Sequence, residues 1–131
     1  MKYLLDSDIL IDNLRKKAKL DEKVVKSGCI NIINLGELVY GAFKSKYPIK
    51  ALELVENYIK DLGVEVISLE KEIIYVFGKI KADLEKEGFK LEDFDLLIAS
   101  TAIVYKLTLV TRNVKHFKRI KGLKLYSSLE N

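Results

Sequence analysis

The stretch YLLDSDILID, residues 3–12, places two carboxylates, Asp6 and Asp8, directly after a short apolar run. Residues 2–5 have the apolar character of a buried strand, and from Asp8 the apolar residues follow a helical spacing. A strand that leads straight into a helix is the repeating element of α/β folds. The stretch therefore predicts an α/β fold, and it raises the question of why a buried strand ends in two acids.

The alternation of strands and helices continues along the chain. Apolar, β-branched runs predict strands at CINIIN (29–34), VEVI (64–67), LTLVT (107–111) and LKLY (123–126). Helical spacing predicts helices over residues 20–27, from Asn34, over 49–62, 70–87 and 93–106, and a short basic helix before the last strand. Such alternation builds a three-layer α/β/α domain with a mostly parallel central sheet. We expect a single domain over residues 1–131.

Composition excludes several classes of protein. The chain has 131 residues, of which 49% are hydrophobic and 32% charged, as in a compact globular domain. No run approaches the roughly 20 apolar residues of a membrane span, so we expect a cytoplasmic protein with no membrane partner. The single cysteine, Cys29, excludes an internal disulfide and is predicted to be a buried apolar residue. The net charge of +4 suits an acidic partner without identifying one.

Three acids are expected at one edge of the predicted sheet. In open α/β sheets the functional crevice lies outside the C-terminal ends of the strands. Asp6 closes the first predicted strand, and Glu37 lies in the first turns after the second. Asp95 lies near the start of a helix, on a face with small apolar residues, so it is expected to point inward. Glu37 shares its helix face with Gly41, which predicts close packing there.

A divalent cation explains why such acids converge. Neighbouring carboxylates repel one another, and a hard cation such as Mg²⁺ or Mn²⁺ neutralises them through oxygen ligands. A cation held in this way binds a phosphate oxygen, orients an attacking water and stabilises the developing negative charge. The strand is therefore predicted to end in acids because it presents them to a metal.

Four segments, in order, resemble the PIN-domain ribonucleases, especially the toxins of VapBC-type toxin–antitoxin pairs. They are YLLDSDILID, INLGELVYGA, DLLIASTAI and LVTRNVKHFKRIKGL, and the resemblance covers essentially the whole chain. It implies Mg²⁺-dependent cleavage of RNA, with Mn²⁺ as the alternative ion, by a metal-activated water held by Asp6, Glu37 and Asp95. It also implies a homodimer and a VapB-like antitoxin partner.

The resemblance also assigns supporting positions. Ser7 stands where a hydroxyl residue usually follows the first acid, and Asp8 stands where Asn or Asp is usual. Many relatives carry a fourth acid at the position of Asn113 or of His116, and this chain has neither. Asn113 keeps a carbonyl oxygen that can ligate without a charge. With Thr111 at the end of LTLVT, these residues support a three-acid core and leave the number of metal ions open.

Several of these residues also have a structural interpretation. Asp8 has the position of a helix N-cap, and Glu37, three residues after Asn34, has the position of a capping-box acid. Asp93 and Asp95 both fall in a first helical turn, where a carboxylate gains from the helix dipole, and we assign that role to Asp93.

Other residues are expected at the surface or in the core. The spacing of Asp12 and Arg15 predicts an exposed helix face, and His116 is expected on the surface, in contact with RNA. The basic runs RKKAK, KSK and KHFKRIK are typical of solvated faces, and beside a metal site they would supply phosphate contacts. Most of the aromatic residues are predicted to be core, and any surplus suits a dimer or an antitoxin helix; these are Tyr40, Phe43, Tyr47, Tyr58 and Tyr75.

Three alternatives remain open. A PIN-like protein that binds RNA or a partner without cleavage is compatible with the missing fourth acid. The DSD sequence also resembles the Asp-x-Asp of haloacid-dehalogenase-like phosphatases, although the small residues that follow it there are replaced by ILI. A receiver module shares the length and the early acidic pair, but VEVIS lacks the expected aspartate at its end.

Overall fold

Strands and helices alternate as predicted in the computed structural model, which describes residues 1–126. The strands are β1 (Tyr3–Leu5), β2 (Gly28–Asn31), β3 (Glu65–Ile67), β4 (Thr108–Val110) and β5 (Lys124–Leu125). The helices are α1 (Ser7–Leu14), α2 (Glu22–Lys26), α3 (Ile32–Lys44), α4 (Pro48–Leu62), α5 (Lys71–Lys86), α6 (Asp93–Val104) and α7 (Val114–Phe117). The last five residues of the predicted domain lie outside the described residues.

The five strands form one sheet in the order β3-β2-β1-β4-β5, and all its strand pairings within residues 1–126 are parallel. In register, Leu4 of β1 lies between Cys29 of β2 and Leu109 of β4. The chain proceeds from β1 to β3 in one direction and then returns to place β4 on the other side of β1. The strand order therefore reverses between β1 and β4, which is where α/β sheets open a ligand crevice.

Helices cover both faces of the sheet, as predicted. Successive strand residues point to opposite faces, so Leu4 and Leu5 belong to different core clusters. The first cluster joins the sheet to α5, α6 and α7 through residues that include Ile73, Leu96 and Phe117. The second joins it to α1, α2, α3 and α4 through residues that include Leu10, Val24, Leu38 and Val55. Cys29 is buried in the first cluster, as expected.

Strand β2 ends three residues earlier than predicted, and α3 begins two residues earlier. The run CINIIN is strand only as far as Asn31, and α3 begins at Ile32. The Asn31 side chain accepts a hydrogen bond from the Ile33 N–H at 2.7 Å, and the Asn34 side chain accepts one from the Asn31 N–H at 2.8 Å. This reciprocal cap starts the helix despite its β-branched residues. The prediction that Asn34 and Glu37 form the capping box is wrong.

Most of the aromatic residues predicted for the core lie instead on the surface. Tyr40, Phe43, Tyr47 and Tyr75 are exposed, and of the five only Tyr58 packs against the second cluster. The reason is that α3 buries only Asn34, Leu38 and Ala42, and α5 only Ile73 and Leu84. Tyr47 lies outside both helices, at the N-cap of α4. None of the helices in residues 1–126 combines the length and the apolar character that crossing a bilayer requires.

Candidate active site

Asp6 lies at the point where the strand order reverses. Its backbone N–H donates to the carbonyl oxygen of Val110 at 2.9 Å, which extends the pairing of β1 with β4 by one residue. The side chain is only 6% exposed, and its Oδ1 accepts a hydrogen bond from the Ser7 N–H at 2.8 Å. Asp6 is thereby the N-cap of α1. The alternative prediction that Asp8 caps this helix is wrong, because Asp8 lies within its first turn.

Thr111 connects the end of β4 to both acids. Its hydroxyl lies 2.8 Å from Asp6 Oδ2 and 3.3 Å from Asp8 Oδ2, and its single proton serves one of them at a time. The Asp8 Oδ2 atom also accepts from the Arg112 N–H at 3.1 Å. Asn113 takes part through its backbone, whose N–H donates to Thr111 Oγ1 at 3.1 Å. Thr111 is fully buried, so it fixes the two carboxylates relative to β4.

Glu37 reaches the same place from α3. Ser7 donates its hydroxyl proton to Glu37 Oε1 at 2.6 Å, and the Asn34 amide donates to Ser7 Oγ at 3.1 Å. Because Asn34 is also part of the α3 cap, the start of that helix is tied directly to the start of α1. The close packing predicted around Gly41 is wrong, since a methyl group added to Gly41 would meet nothing within 4 Å.

Asp95, in the first turn of α6, contacts His116 of α7. The distance from His116 Nε2 to Asp95 Oδ2 is 3.1 Å, and both side chains are about three-quarters buried. The expectation that His116 lies on the surface is met only in part, because its side chain packs against Asp95 and remains 29% exposed. The only sign of this contact in the sequence is that His116 lies in the closing segment that resembles the PIN-domain motif, at one of the two positions where many relatives carry an acid. Asp93, two residues before Asp95, instead forms an ion pair with Lys81 at 2.8 Å.

A second contact that the sequence did not indicate joins Arg112 to Asp12 of α1. The two side chains form an ion pair, and the Asp12 side chain is only 17% exposed. The prediction that Asp12 is solvated beside Arg15 is wrong for this reason. Local spacing carries no sign of the pair, because its members are 100 positions apart in the sequence. The ion pair anchors the segment that follows β4 against α1.

Burial raises the pKa values of Asp6, Asp8 and Glu37, and repulsion by neighbouring carboxylates adds to the shift at Asp6 and Glu37. Burial, followed by the charge of Asp8, raises the pKa of Asp6 to about 7, although hydrogen bonds from Thr111 and Ser7 oppose the shift. Burial also raises the pKa values of Asp8 and Glu37, and the charge of Asp95 adds to the shift at Asp6 and at Glu37. The four carboxylates therefore share one electrostatic environment, in which the charge of Arg112 partly offsets the shift at Asp8.

The acids are close enough to repel one another, but they do not form a ready-made chelate. Within residues 1–126, no three side chains of His, Cys, Asp or Glu are grouped tightly enough to hold a metal as they stand. Beside these acids, Asp8 Oδ1 is buried and accepts no hydrogen bond within the same range of residues. An acidic crevice with an unsatisfied carboxylate oxygen fits a hard cation, because such a cation takes oxygen ligands and keeps several waters.

A sequence model of the PIN domain family matches residues 3–123. The chain belongs to the PIN domain family. Similar proteins include ribonuclease VapC1 of Methanocaldococcus jannaschii, 39% identical over 95% of this chain and 87% of the relative. The tRNA(fMet)-specific endonuclease VapC of Shigella flexneri is 32% identical over 95% of this chain and 96% of its own length. The recognition of a VapC-like PIN domain from its four segments is confirmed.

Solved structures agree with this membership. The VapBC2 complex of Rickettsia felis, bound to a DNA fragment from its promoter, contains a chain that superposes on this PIN domain with a TM-score of 0.85. The identity is 33%, over 96% of this chain and 98% of the other. The DNA-bound VapBC complex of Salmonella typhimurium gives a TM-score of 0.87 at 30% identity, over 96% and 97% of the two chains.

The family and the sheet order exclude two of the alternatives. A receiver module has the flavodoxin-like strand order 2-1-3-4-5, which differs from the order found here. The PIN family match over residues 3–123 likewise removes the phosphatase interpretation of the DSD sequence. A PIN-like protein that binds without cleaving remains as the alternative to a nuclease.

Proposed function

We propose that this PIN domain is a metal-dependent endoribonuclease of the cytoplasm, the toxin of a VapBC-type toxin–antitoxin pair. The observation that carries the proposal is the convergence of Asp6, Glu37 and Asp95 on the crevice beside β1 and β4, where burial and repulsion hold the pKa of Asp6 at about 7. Relatives that are 32 to 39% identical over nearly the whole chain, and that are named ribonuclease or endonuclease VapC, support the same activity.

We assign the metal to Asp6, Glu37 and Asp95, with the unpartnered oxygen of Asp8 beside them. The donor atoms are all carboxylate oxygens, which favours Mg²⁺, with Mn²⁺ as the alternative ion. A bound Mg²⁺ would polarise the scissile phosphate and supply an activated water for hydrolysis. Asn113 contributes no charge, and its backbone amide holds Thr111.

The neighbouring side chains position the acids. Thr111 donates to Asp6 Oδ2 and the Ser7 N–H donates to Oδ1, so both oxygens of this carboxylate are held in place. Ser7 holds Glu37 Oε1 through a short hydrogen bond, which leaves the other oxygen of that carboxylate for a ligand. His116 approaches Oδ2 of Asp95 and restricts the rotation of its side chain. These contacts reduce the reorganisation that the acids need in order to bind a cation and a phosphate together.

The proposed partners follow from the relatives and from the surface. RNA is the substrate, and a VapB-like antitoxin is the protein partner, since the similar chains in the Rickettsia felis and Salmonella typhimurium structures belong to VapBC complexes. A homodimer remains part of the proposal. The exposed aromatic residues on α3 and α5 supply apolar surface for such contacts.

The alternative is a PIN-like protein that binds RNA or its partner without cutting. Two observations favour it. Within residues 1–126 the acids are not grouped tightly enough to hold a metal as they stand. Position 113, where the resemblance leads us to expect a fourth acid, carries an asparagine. Cleavage of a labelled, structured RNA pool separates the two functions. We expect purified, antitoxin-free protein to cut in Mg²⁺ or Mn²⁺ and to be inactive in EDTA.

Two matched variants test the site at the same time. Asp95→Asn is expected to abolish cutting, because it removes a charged metal ligand from the site. Asp93→Asn, two residues away in the same helical turn, removes only the exposed pair with Lys81 and is expected to leave the rate within about twofold, as a surface pair contributes little. Folded protein that cuts in no metal would refute the nuclease and leave the binding function.

A further inference from the structure

Two open cavities flank the acids and meet at Glu37 and Phe94. One, of about 660 Å³, lies beside the connection between α5 and α6 and is lined by Asp95. The other, of about 680 Å³, lies between α1 and α3 and is lined by Ser7. Glu37 and Phe94 line both. A nucleic-acid strand that extends from one cavity into the other therefore passes over Glu37 and Phe94.

Phe94 is an exposed aromatic ring at the centre of this path. It is 52% exposed, it belongs to neither core cluster, and it directly precedes Asp95 in the first turn of α6. The fold gains little from a phenylalanine that remains in water. An exposed ring beside a phosphate-cleaving site offers a flat surface on which an unpaired nucleobase can stack.

The two cavities differ in charge. The cavity between α1 and α3 carries Arg15 and Lys44, and its only acid is Glu37. The opposite cavity carries Glu85, Glu92 and Asp93 in addition to Glu37 and Asp95, against two lysines. Within residues 1–126, neither Arg15 nor Lys44 forms an ion pair with a carboxylate. The side between α1 and α3 is therefore the better place for backbone phosphates.

The wall of the cavity between α1 and α3 also leaves room for the sugar-phosphate backbone of a nucleic acid to approach it closely. Gly36 and Gly41 lie on it, and a methyl group added to either would meet no atom within 4 Å. Side chains at these positions would project into the cavity and narrow it. Packing within the fold does not explain the glycine at position 41, whereas room for a bound RNA strand does.

We propose that single-stranded RNA lies across this junction, with the base next to the scissile phosphate stacked on Phe94. The adjoining phosphate on the α1 and α3 side binds between Arg15 and Lys44. This inference rests on the proposed nuclease function, because it locates the substrate relative to Glu37 and Asp95. A single strand is required, since a paired base does not offer its face to a side chain.

The chain contains no tryptophan, which makes a direct test of stacking possible. Phe94→Trp keeps an aromatic face and introduces the only tryptophan. Its fluorescence is expected to fall as an unstructured oligoribonucleotide is added in EDTA, where no cleavage occurs. Tyr75→Trp is the control, because Tyr75 is similarly exposed on α5 and lines neither cavity beside the acids. Its fluorescence is expected to stay nearly constant.

Affinity measurements complete the test. Phe94→Leu keeps an apolar side chain without a ring, and we expect RNA binding, followed by fluorescence anisotropy in EDTA, to weaken about fivefold or more. Replacing Arg15 and Lys44 together by Gln is expected to reduce the slope of log K against log salt by roughly 1.4, as for two phosphate contacts on a single strand. Replacing Lys50 and Lys60 of α4 by Gln is the charge-matched control and should leave the slope nearly unchanged.

The outcomes separate this inference from the nuclease function. Quenching confined to Phe94→Trp, together with weaker binding by Phe94→Leu, supports stacking whether or not the protein cuts RNA. A protein that cuts RNA but binds it equally well with Leu at position 94 overturns the stacking proposal and leaves the nuclease intact. Equal quenching in Phe94→Trp and Tyr75→Trp overturns it as well, and so does a failure of the wild-type protein to bind RNA.

Discussion

At Asp6, the stability of the fold and the proposed metal binding favour different protonation states. The buried side chain is more stable when protonated, whereas a metal ligand must be ionised. The Asp6 carboxylate is buried against Asp8, and its pKa of about 7 lies well above the value of about 4 for an unfolded chain. Between these two pH values the folded protein holds a proton that the unfolded chain has lost. The free energy of unfolding of the metal-free protein is therefore expected to fall as the pH rises through this range.

We predict that the free energy of unfolding in EDTA is about 2 kcal/mol lower at pH 7.5 than at pH 5. Urea titrations at the two pH values measure it. Asp6→Asn keeps the capping oxygen but carries no charge, so the difference should shrink in that variant, with a remainder from Asp8 and Glu37, whose pKa values are also raised. A wild-type protein that is more stable at pH 7.5 than at pH 5 would contradict the prediction.

At this scale the sequence predicted a set of candidate acids but not all the residues that contact them. Asp6, Glu37 and Asp95 were proposed because Asp6 ends a predicted strand and the other two lie in the first turns of predicted helices. The pairs of Asp12 with Arg112 and of Asp95 with His116 join residues 100 and 21 positions apart. No local spacing encodes them, because they depend on how α7 and the end of β4 pack beside α1 and α6.

At the scale of elements, the start of α3 joins the fold to the site. Asn31 and Asn34 are fully buried, and they connect β2, α3, α6 and α1 through Thr101 and Ser7. Elements with strong periodicity, such as α4 and α5, were predicted to within one residue. The boundary at α3 was missed because the β-branched run CINIIN predicts a strand, whereas two asparagine side chains start the helix inside it.

We predict that Asn34→Ala lowers the free energy of unfolding by about 2 kcal/mol or more. The variant keeps the Asn31 half of the α3 capping box but loses the Asn34 half, which leaves the buried N–H of Asn31 without its acceptor. Urea denaturation measures the loss. Asp21→Ala, which removes the exposed cap of α2, is the control and should cost about 1 kcal/mol or less. Similar losses in the two variants would show that the buried cap contributes no more than an ordinary one.

The same variant tests the connection with the site. Asn34 donates to the Ser7 hydroxyl, which in turn donates to Glu37. In Asn34→Ala this hydroxyl loses one of its two restraints, so RNA cleavage should fall even at temperatures where the variant is fully folded. Asp21→Ala should retain the wild-type rate. An unchanged rate in folded Asn34→Ala would mean that Glu37 is positioned without this link.

At the scale of the whole molecule, the acids come from three elements that meet only in the folded chain. Asp6 follows β1, Glu37 lies on α3 and Asp95 on α6, with helices packed on opposite faces of the sheet. A cation that binds all three joins the two helical layers across the end of the sheet. Since the unfolded chain does not hold them together, binding must stabilise the fold.

We predict that Mg²⁺ or Mn²⁺ raises the melting temperature of the protein at pH 7.5. At a hundred times its dissociation constant, the ion adds about 2.7 kcal/mol to the free energy of unfolding, which corresponds to several degrees for a chain of this size. Thermal melts followed by circular dichroism measure the shift. Asp95→Asn should lose most of it, and Asp93→Asn should keep it, because Asp93 pairs with Lys81 and is not one of the proposed ligands. A shift of equal size in both variants would place the cation elsewhere on the protein, and the assignment of Asp95 as a ligand would then fail.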